Sequence, residues 1–280
     1  MRPGSWLWAL FAAVLWSSPP AGGAVAQSGT QAGPGAGTPV DLELVLAVDV
    51  SRSMDLDEQE LQRAGYVAAF RDREVLRAIA SGPIGRIAVS YVEWAGAGSQ
   101  RVILPWTLVE DTASGERVSQ ALASAPFEAR RRTSISEALL FSAALFRDSG
   151  FVGARRVIDI SGDGPNNEGV PVEEARDRVL DQGIVVNGLP IMLKQSRMSG
   201  FFDVGDLDLY YEDCVIGGFG AFTVTVVEPA EFAAAIRRKL ILEIAGAAPR
   251  LIPAQMTRRA GTTDCMIGEK LWDQWMLGRE

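Results

Sequence analysis

The sequence predicts an α/β fold: an open, doubly wound, mostly parallel sheet with helices on both faces and one antiparallel edge strand. Three observations carry this. Leu42 to Val50 (LELVLAVDV) is a continuous apolar run, as expected of a strand buried on both faces in a parallel sheet. Strand-like and helix-like segments then alternate as far as Ala245. Arg86–Trp94 and Arg101–Trp106 are two short strands joined by a glycine-containing turn, which reads as a hairpin and places the second strand antiparallel at an edge.

The elements follow in order. After the first strand, Asp55 to Ala80 has helical spacing of small and apolar residues, with Asp55, Asp57 and Glu58 where the helix dipole favours acids; Gly82, Pro83 and Gly85 end it. Thr112–Ala123 is a modest helix. The basic stretch Arg130-Arg131-Arg132 reads as a loop, and Ser134–Arg147 as an apolar helix. Arg156–Ser161 is a strand that runs into the loop Gly162-Asp163-Gly164-Pro165-Asn166-Asn167. Pro171–Gln182 is a helix with proline in its first turn, Ile184–Leu189 a strand, Ala221–Val227 another strand, and Pro229–Ala245 a long helix. Leu271 and Trp275, four apart, give the tail a short helix with an apolar stripe. Residues 249–280 are expected to form an extension docked on the domain formed by residues 41–248.

Composition excludes several chemistries. The 280 residues contain 27 Lys+Arg, 35 Asp+Glu and no histidine, for a formal charge of −8. No Ser-His-Asp or Cys-His nucleophile and no His-ligated zinc can be built. An acidic chain without a basic stripe argues against nucleic-acid binding.

The first 26 residues read as a signal peptide. Arg2 supplies the positive start, Trp6–Trp16 is an apolar run too short to span a bilayer with ease, and Ala24-Val25-Ala26 is a small-x-small cleavage site. Residues 27–40, rich in Gly and Ala, read as a flexible linker. Export to the periplasm or the extracellular space implies an oxidising compartment. One disulfide between Cys214 and Cys265 is therefore expected, two buried thiols being the alternative.

In an open α/β sheet, ligands bind outside the carboxyl ends of the strands. The polar residues expected there are Asp49, Ser51 and Ser53 after the first strand, Thr133 ahead of a helix, and Asp163 after the Arg156–Ser161 strand. Two carboxylates and three hydroxyls make an all-oxygen set suited to Mg2+, with Mn2+ or Ca2+ as alternatives.

In that order and on those elements, Asp49-x-Ser51-x-Ser53, Thr133 and Asp163-Gly164 resemble the metal-ion-dependent adhesion site of von Willebrand factor A domains. The likeness covers roughly 200 residues, from about Asp41 to Ala245. More narrowly, Ser-Gly-Asp-Gly-Pro-Asn-Asn and Cys-Val-Ile-Gly-Gly resemble the secreted bacterial branch of that family. The resemblance implies that Ser51 and Ser53 ligate the ion directly, that Thr133 does so directly or through water, and that Asp49 and Asp163 hold metal-bound waters. It also implies a protein or peptide partner whose carboxylate completes the shell, a last helix able to slide, and no enzymatic activity. Ser161-Gly162-Asp163-Gly164 departs from the family's Thr-Asp-Gly by one glycine, which puts the placement of Asp163 in question.

Other readings use the same residues. Asp49, Ser51, Ser53, Asp55, Asp57 and Glu60 have calcium-loop spacing, but Met54 stands where the loop needs glycine. The Gly162–Asn167 loop is similar to the acidic loop of haloacid-dehalogenase-type phosphatases, with Asp49 as nucleophile. Ser51 replaces the proton-donating acid, however, and every lysine follows Asp163. A scaffold with a degenerate metal site is the third alternative.

Overall fold

The structure, a computed structural model, describes Met1 and residues 37–193, 205–246 and 263–278. The expected signal peptide and most of the expected linker lie outside the described residues.

Five strands, β1 (Thr38–Asp49), β2 (Ile87–Trp94), β3 (Arg101–Val109), β4 (Phe151–Gly162) and β5 (Val185–Pro190), form one sheet in the order β3-β2-β1-β4-β5. All neighbours pair in parallel except β2 and β3, which form the antiparallel edge hairpin. β1 is central, and its side chains serve two cores in alternation. Leu42, Leu44, Leu46 and Val48 pack with α1 (Leu56–Ala69), α2 (Arg73–Ala80), α3 (Thr112–Ser124) and α7 (Phe232–Ala245). Val45 and Ala47 pack on the other face with α4 (Ile135–Leu145), α5 (Val172–Leu180) and the short helix α6 (Leu207–Tyr210). Burial on both faces explains why the run is apolar throughout.

Four expectations are corrected. β1 starts at Thr38, inside the expected linker, because Thr38–Val40 pair with Phe151–Gly153. The helix expected over 55–80 is two helices: Phe70 caps the end of α1, and Asp72 starts α2 by accepting from the amides of Glu74 and Val75. Ala221–Val227 is not a full strand. It meets β5 in two parallel bridges, Gly188↔Thr223 and Ile191↔Val226. Gly188 donates to Phe222 and Met192 to Val226, but the intervening donor would be Pro190, which has no N–H. Finally, a segment given no element, Leu207–Val215, forms α6 and a π-helical turn over Tyr211–Val215.

Cys214, in that turn, is disulfide-bonded to Cys265. Cys265 directly precedes Met266, the N-cap of the C-terminal helix α8 (Ile267–Leu277).

Candidate metal centre

Parallel pairing of Val48 with Ser161 sets the carboxyl ends of β1 and β4 side by side, so Asp49 and Asp163 leave the sheet at one edge. Asp49 is fully buried. Its Oδ1 accepts from the Ser51 amide at 2.6 Å, which curls the loop back on itself. The hydroxyls of Ser51 and Ser53 are 2.7 Å apart, and Ser53 Oγ donates to Asp163 Oδ1 at 2.7 Å. Four of the five expected residues thus form one hydrogen-bonded chain. Thr133 is buried and joins from the third loop through the backbone. Its amide donates to Asn167 Oδ1 at 3.0 Å, and its carbonyl accepts from the Asn167 amide at 2.8 Å. Among the described residues its hydroxyl makes no hydrogen bond, which leaves it open to a ligand.

The extra glycine has a steric reason. Gly162 is the last residue of β4, so Asp163 directly follows the strand. A Cβ at Gly162 would fall 2.9 Å from both Asp49 Oδ2 and the Tyr211 hydroxyl, and 3.3 Å from Trp94. Trp94, the last residue of β2, is fully buried and reaches the floor of this site.

Several residues of the site carry no signal in the sequence. Gln59 and Gln62, on the buried face of α1, donate to the Ser51 and Met54 carbonyls and to Ser161 Oγ. They share that buried face with Arg63, Gly65, Tyr66 and Ala69, so no apolar stripe marks it in the sequence. Tyr211 arrives on the π-helical turn, which has no readable period. Asn166 and Asn167 are visible in the sequence, but their roles as ties to the Thr133 loop are not. Asp55, expected in the calcium-loop reading, instead caps α1 by accepting from the Glu58 amide.

Electrostatics indicate what the site can hold. Burial pushes the Asp49 carboxyl up to about 7, although hydrogen bonds from Ser51 pull the other way. Burial, and then the charge of Asp49, push Asp163 well above the usual carboxylate range. Tyr211 is raised by burial and by both carboxylates. Asp49 Oδ2 and the Tyr211 hydroxyl are buried without a hydrogen-bond partner among the described residues. Two crowded carboxylates with a spare acceptor, lined by hydroxyls, fit a hard divalent cation, which would offset both the desolvation and the repulsion. Among the described residues no three His, Cys, Asp or Glu side chains cluster, so the donor set is hydroxyl-rich rather than a carboxylate or thiolate cage.

The rim is basic on one side. Arg130 bridges to Ser51 through the backbone, its amide donating to the Val50 carbonyl. A cleft of about 230 Å³ opens there, lined by Val50, Glu93, Gln100, Arg101, Glu128 and Arg130. The buried Glu93 carboxylate pairs with Arg63 and Arg101, and Glu128 pairs with Arg101 and Arg130. Arg52 and Arg131 are exposed and, among the described residues, have no ion-pair partner.

A central, mostly parallel sheet, helices on both faces and an antiparallel edge hairpin make up a von Willebrand A-type α/β fold, with a polar cluster at its carboxyl edge. Residues 39–248 match the model of the family described as "Protein of unknown function (DUF1194)", and the chain belongs to that family. No curated protein matches it in sequence. Among solved structures, it is similar to proximal thread matrix protein 1 from the mussel byssus, with 14% identity and a TM-score of 0.52 over 75% of this chain and 49% of that one. It is also similar to a von Willebrand factor type A protein from Catenulispora acidiphila (15%, TM-score 0.52, 73% and 43% covered). A third is the pilus adhesin SpaC from Lactobacillus rhamnosus GG (13%, TM-score 0.50, 74% and 30% covered). The chain thus spans half or less of the length of these structures, and at such identities they share a fold.

Proposed function

We propose that this protein is an exported, non-enzymatic binding module that captures a protein or peptide ligand through a divalent cation held by Asp49, Ser51, Ser53, Thr133 and Asp163. The observation that carries this reading is the continuous hydrogen-bonded chain Asp49–Ser51–Ser53–Asp163, whose Asp49 end keeps a buried carboxylate oxygen, Oδ2, with no partner among the described residues. Ser51, Ser53 and Thr133 would supply neutral oxygens, and Asp49 and Asp163 negative charge. When bound, Mg2+, or Mn2+ or Ca2+ in its place, supplies a coordination position that a partner carboxylate can complete. A zinc-occupied MIDAS motif in the mussel matrix protein supports a divalent cation, and the pilus adhesin among the similar structures supports an adhesive role.

The arginines beside the metal loop favour an acidic ligand. Arg52 and Arg131, exposed and without an ion-pair partner among the described residues, place positive charge beside the metal loop of a chain whose overall charge is −8. The disulfide suits an oxidising compartment. Among the described residues no helix is long and apolar enough to cross a membrane. Cleavage after Ala26 and release to the periplasm or beyond complete the proposal.

Calorimetry with Mg2+ tests it. Wild type should take up one ion per chain and Asp49→Ala none. Equal uptake by both would place the ion elsewhere.

A further inference from the structure

The C-terminal helix α8 lies some 100 residues beyond the Asp163 loop in the chain, yet it touches two of the three loops of the site. Its Gly268 packs on the backbone of Asn166 so closely that a Cβ there would sit 1.9 Å from the Asn166 carbonyl oxygen. Glu269, one residue on, accepts from Asn166 Nδ2 at 2.7 Å. The Asn166 side chain passes this hold across the site, because its Oδ1 accepts from the Ser136 amide in the first turn of α4. Asn167, next in the chain, makes the two bonds to Thr133.

A second contact grips the Thr133 loop directly. The guanidinium of Arg132 lies 3.6 Å from the ring centre of Trp272 on α8. Among the described residues Arg132 is the one non-glycine with positive φ, at 72°. That left-handed backbone costs about 1 kcal/mol or more and persists only where its surroundings impose it. Trp272 on one side and Glu168 on the other hold it, and Thr133 follows directly.

Two further ties hold α8 in place. Cys265 is bonded to Cys214, and Tyr210 accepts from the Asn166 amide while its hydroxyl donates to the Cys265 carbonyl. Tail, π-helical turn and Asp163 loop form one connected unit.

We propose that α8 is a built-in brace of the metal centre: Gly268, Glu269 and Trp272 are positioning residues that set the Thr133 loop against the Asp163 loop, with the disulfide as their anchor. This gives the C-terminal extension a role at the site, resting on the metal reading above but separable from it. None of the three contributes a ligand atom; the effect is on where Thr133 and Asp163 stand.

Gly268→Ala is the most telling variant. It improves the intrinsic helix preference of α8 while driving it off Asn166, and it removes no polar group. Trp272→Ala removes the hold on Arg132, and Trp272→Phe restores an aromatic face. The readouts are amide hydrogen exchange and Mg2+ calorimetry on the full chain, with thermal melting as a check on folding. Gly268→Ala and Trp272→Ala should speed exchange at Thr133, Ser136, Asn166 and Asn167 by about tenfold or more, the scale of a lost hydrogen bond, while Val157–Ile160 stay protected. Mg2+ affinity should fall about tenfold, and Trp272→Phe should recover most of both effects. Unchanged exchange at those four amides would overturn the brace, as would faster exchange with Mg2+ affinity equal to wild type. If wild type takes up no Mg2+ while exchange still rises in the variants, α8 does hold the loops, and it is the metal reading that falls.

Discussion

Ser53 and Asp163, 110 residues apart in the chain, are joined by a 2.7 Å hydrogen bond from the serine hydroxyl to the carboxylate. The bond spans the ends of two adjacent parallel strands, which is why neither residue can move without the other. Ser53→Ala should therefore cost Mg2+ binding about tenfold or more, by removing a ligand oxygen and releasing Asp163, with little loss of stability. Calorimetry beside a melting curve separates the two effects.

Gly162→Ala should be destabilising although it adds a single methyl. The new Cβ would press on Asp49 Oδ2, the Tyr211 hydroxyl and Trp94, all fully buried. Overpacking of this kind costs about 1–3 kcal/mol. Urea unfolding should show that loss, and Mg2+ uptake should weaken with it.

Lys239 on α7 is fully buried between Asp159 at 2.7 Å and Glu243 at 2.5 Å. Replacing it leaves two acids facing each other in the core, whereas neutralising one acid leaves a matched pair. Lys239→Met should cost about 3–5 kcal/mol, while Glu243→Gln should be near neutral or stabilising at pH 8. Chemical denaturation of both variants decides the order.

The same cluster predicts a pH dependence. Burial, and then the charge of Asp159, push Glu243 up to about 7 from its ordinary 4.5. The folded state thus holds this proton more tightly than the unfolded chain. The contribution is fully present below about pH 4.5 and is lost as pH rises through about 7. Asp159 shifts in the same direction, with burial as the leading cause. Metal-free wild type should lose more stability than Glu243→Gln between pH 5 and 8. Parallel melting curves across that range would contradict the assignment.

Much of this arrangement was legible because the residues involved obey local rules. The apolar run of β1 could only be a strand covered on both sides, and Asp-x-Ser-x-Ser falls where a parallel strand opens its loop. The break between α1 and α2 was hidden because Val75 and Ile79 stay in helical phase with Ala68, although Asp72 is a standard helix-starting residue. The interruption beside β5 depends on which partner Pro190 faces, a tertiary fact. Tyr211 lies on a turn without helical or strand period, and Gly268 looks like a weak point in a helix until Asn166 is seen against it.

The account stands most directly on where a cation sits. A crystal of the full chain soaked in Mn2+ and measured at the manganese absorption edge gives that position without reference to any ligand. The account predicts a single strong anomalous peak within coordination distance of the Ser51, Ser53 and Thr133 hydroxyls, beside Asp49 and Asp163, that disappears in Asp49→Ala. A peak elsewhere, or none at this edge of the sheet under saturating Mn2+, would contradict it.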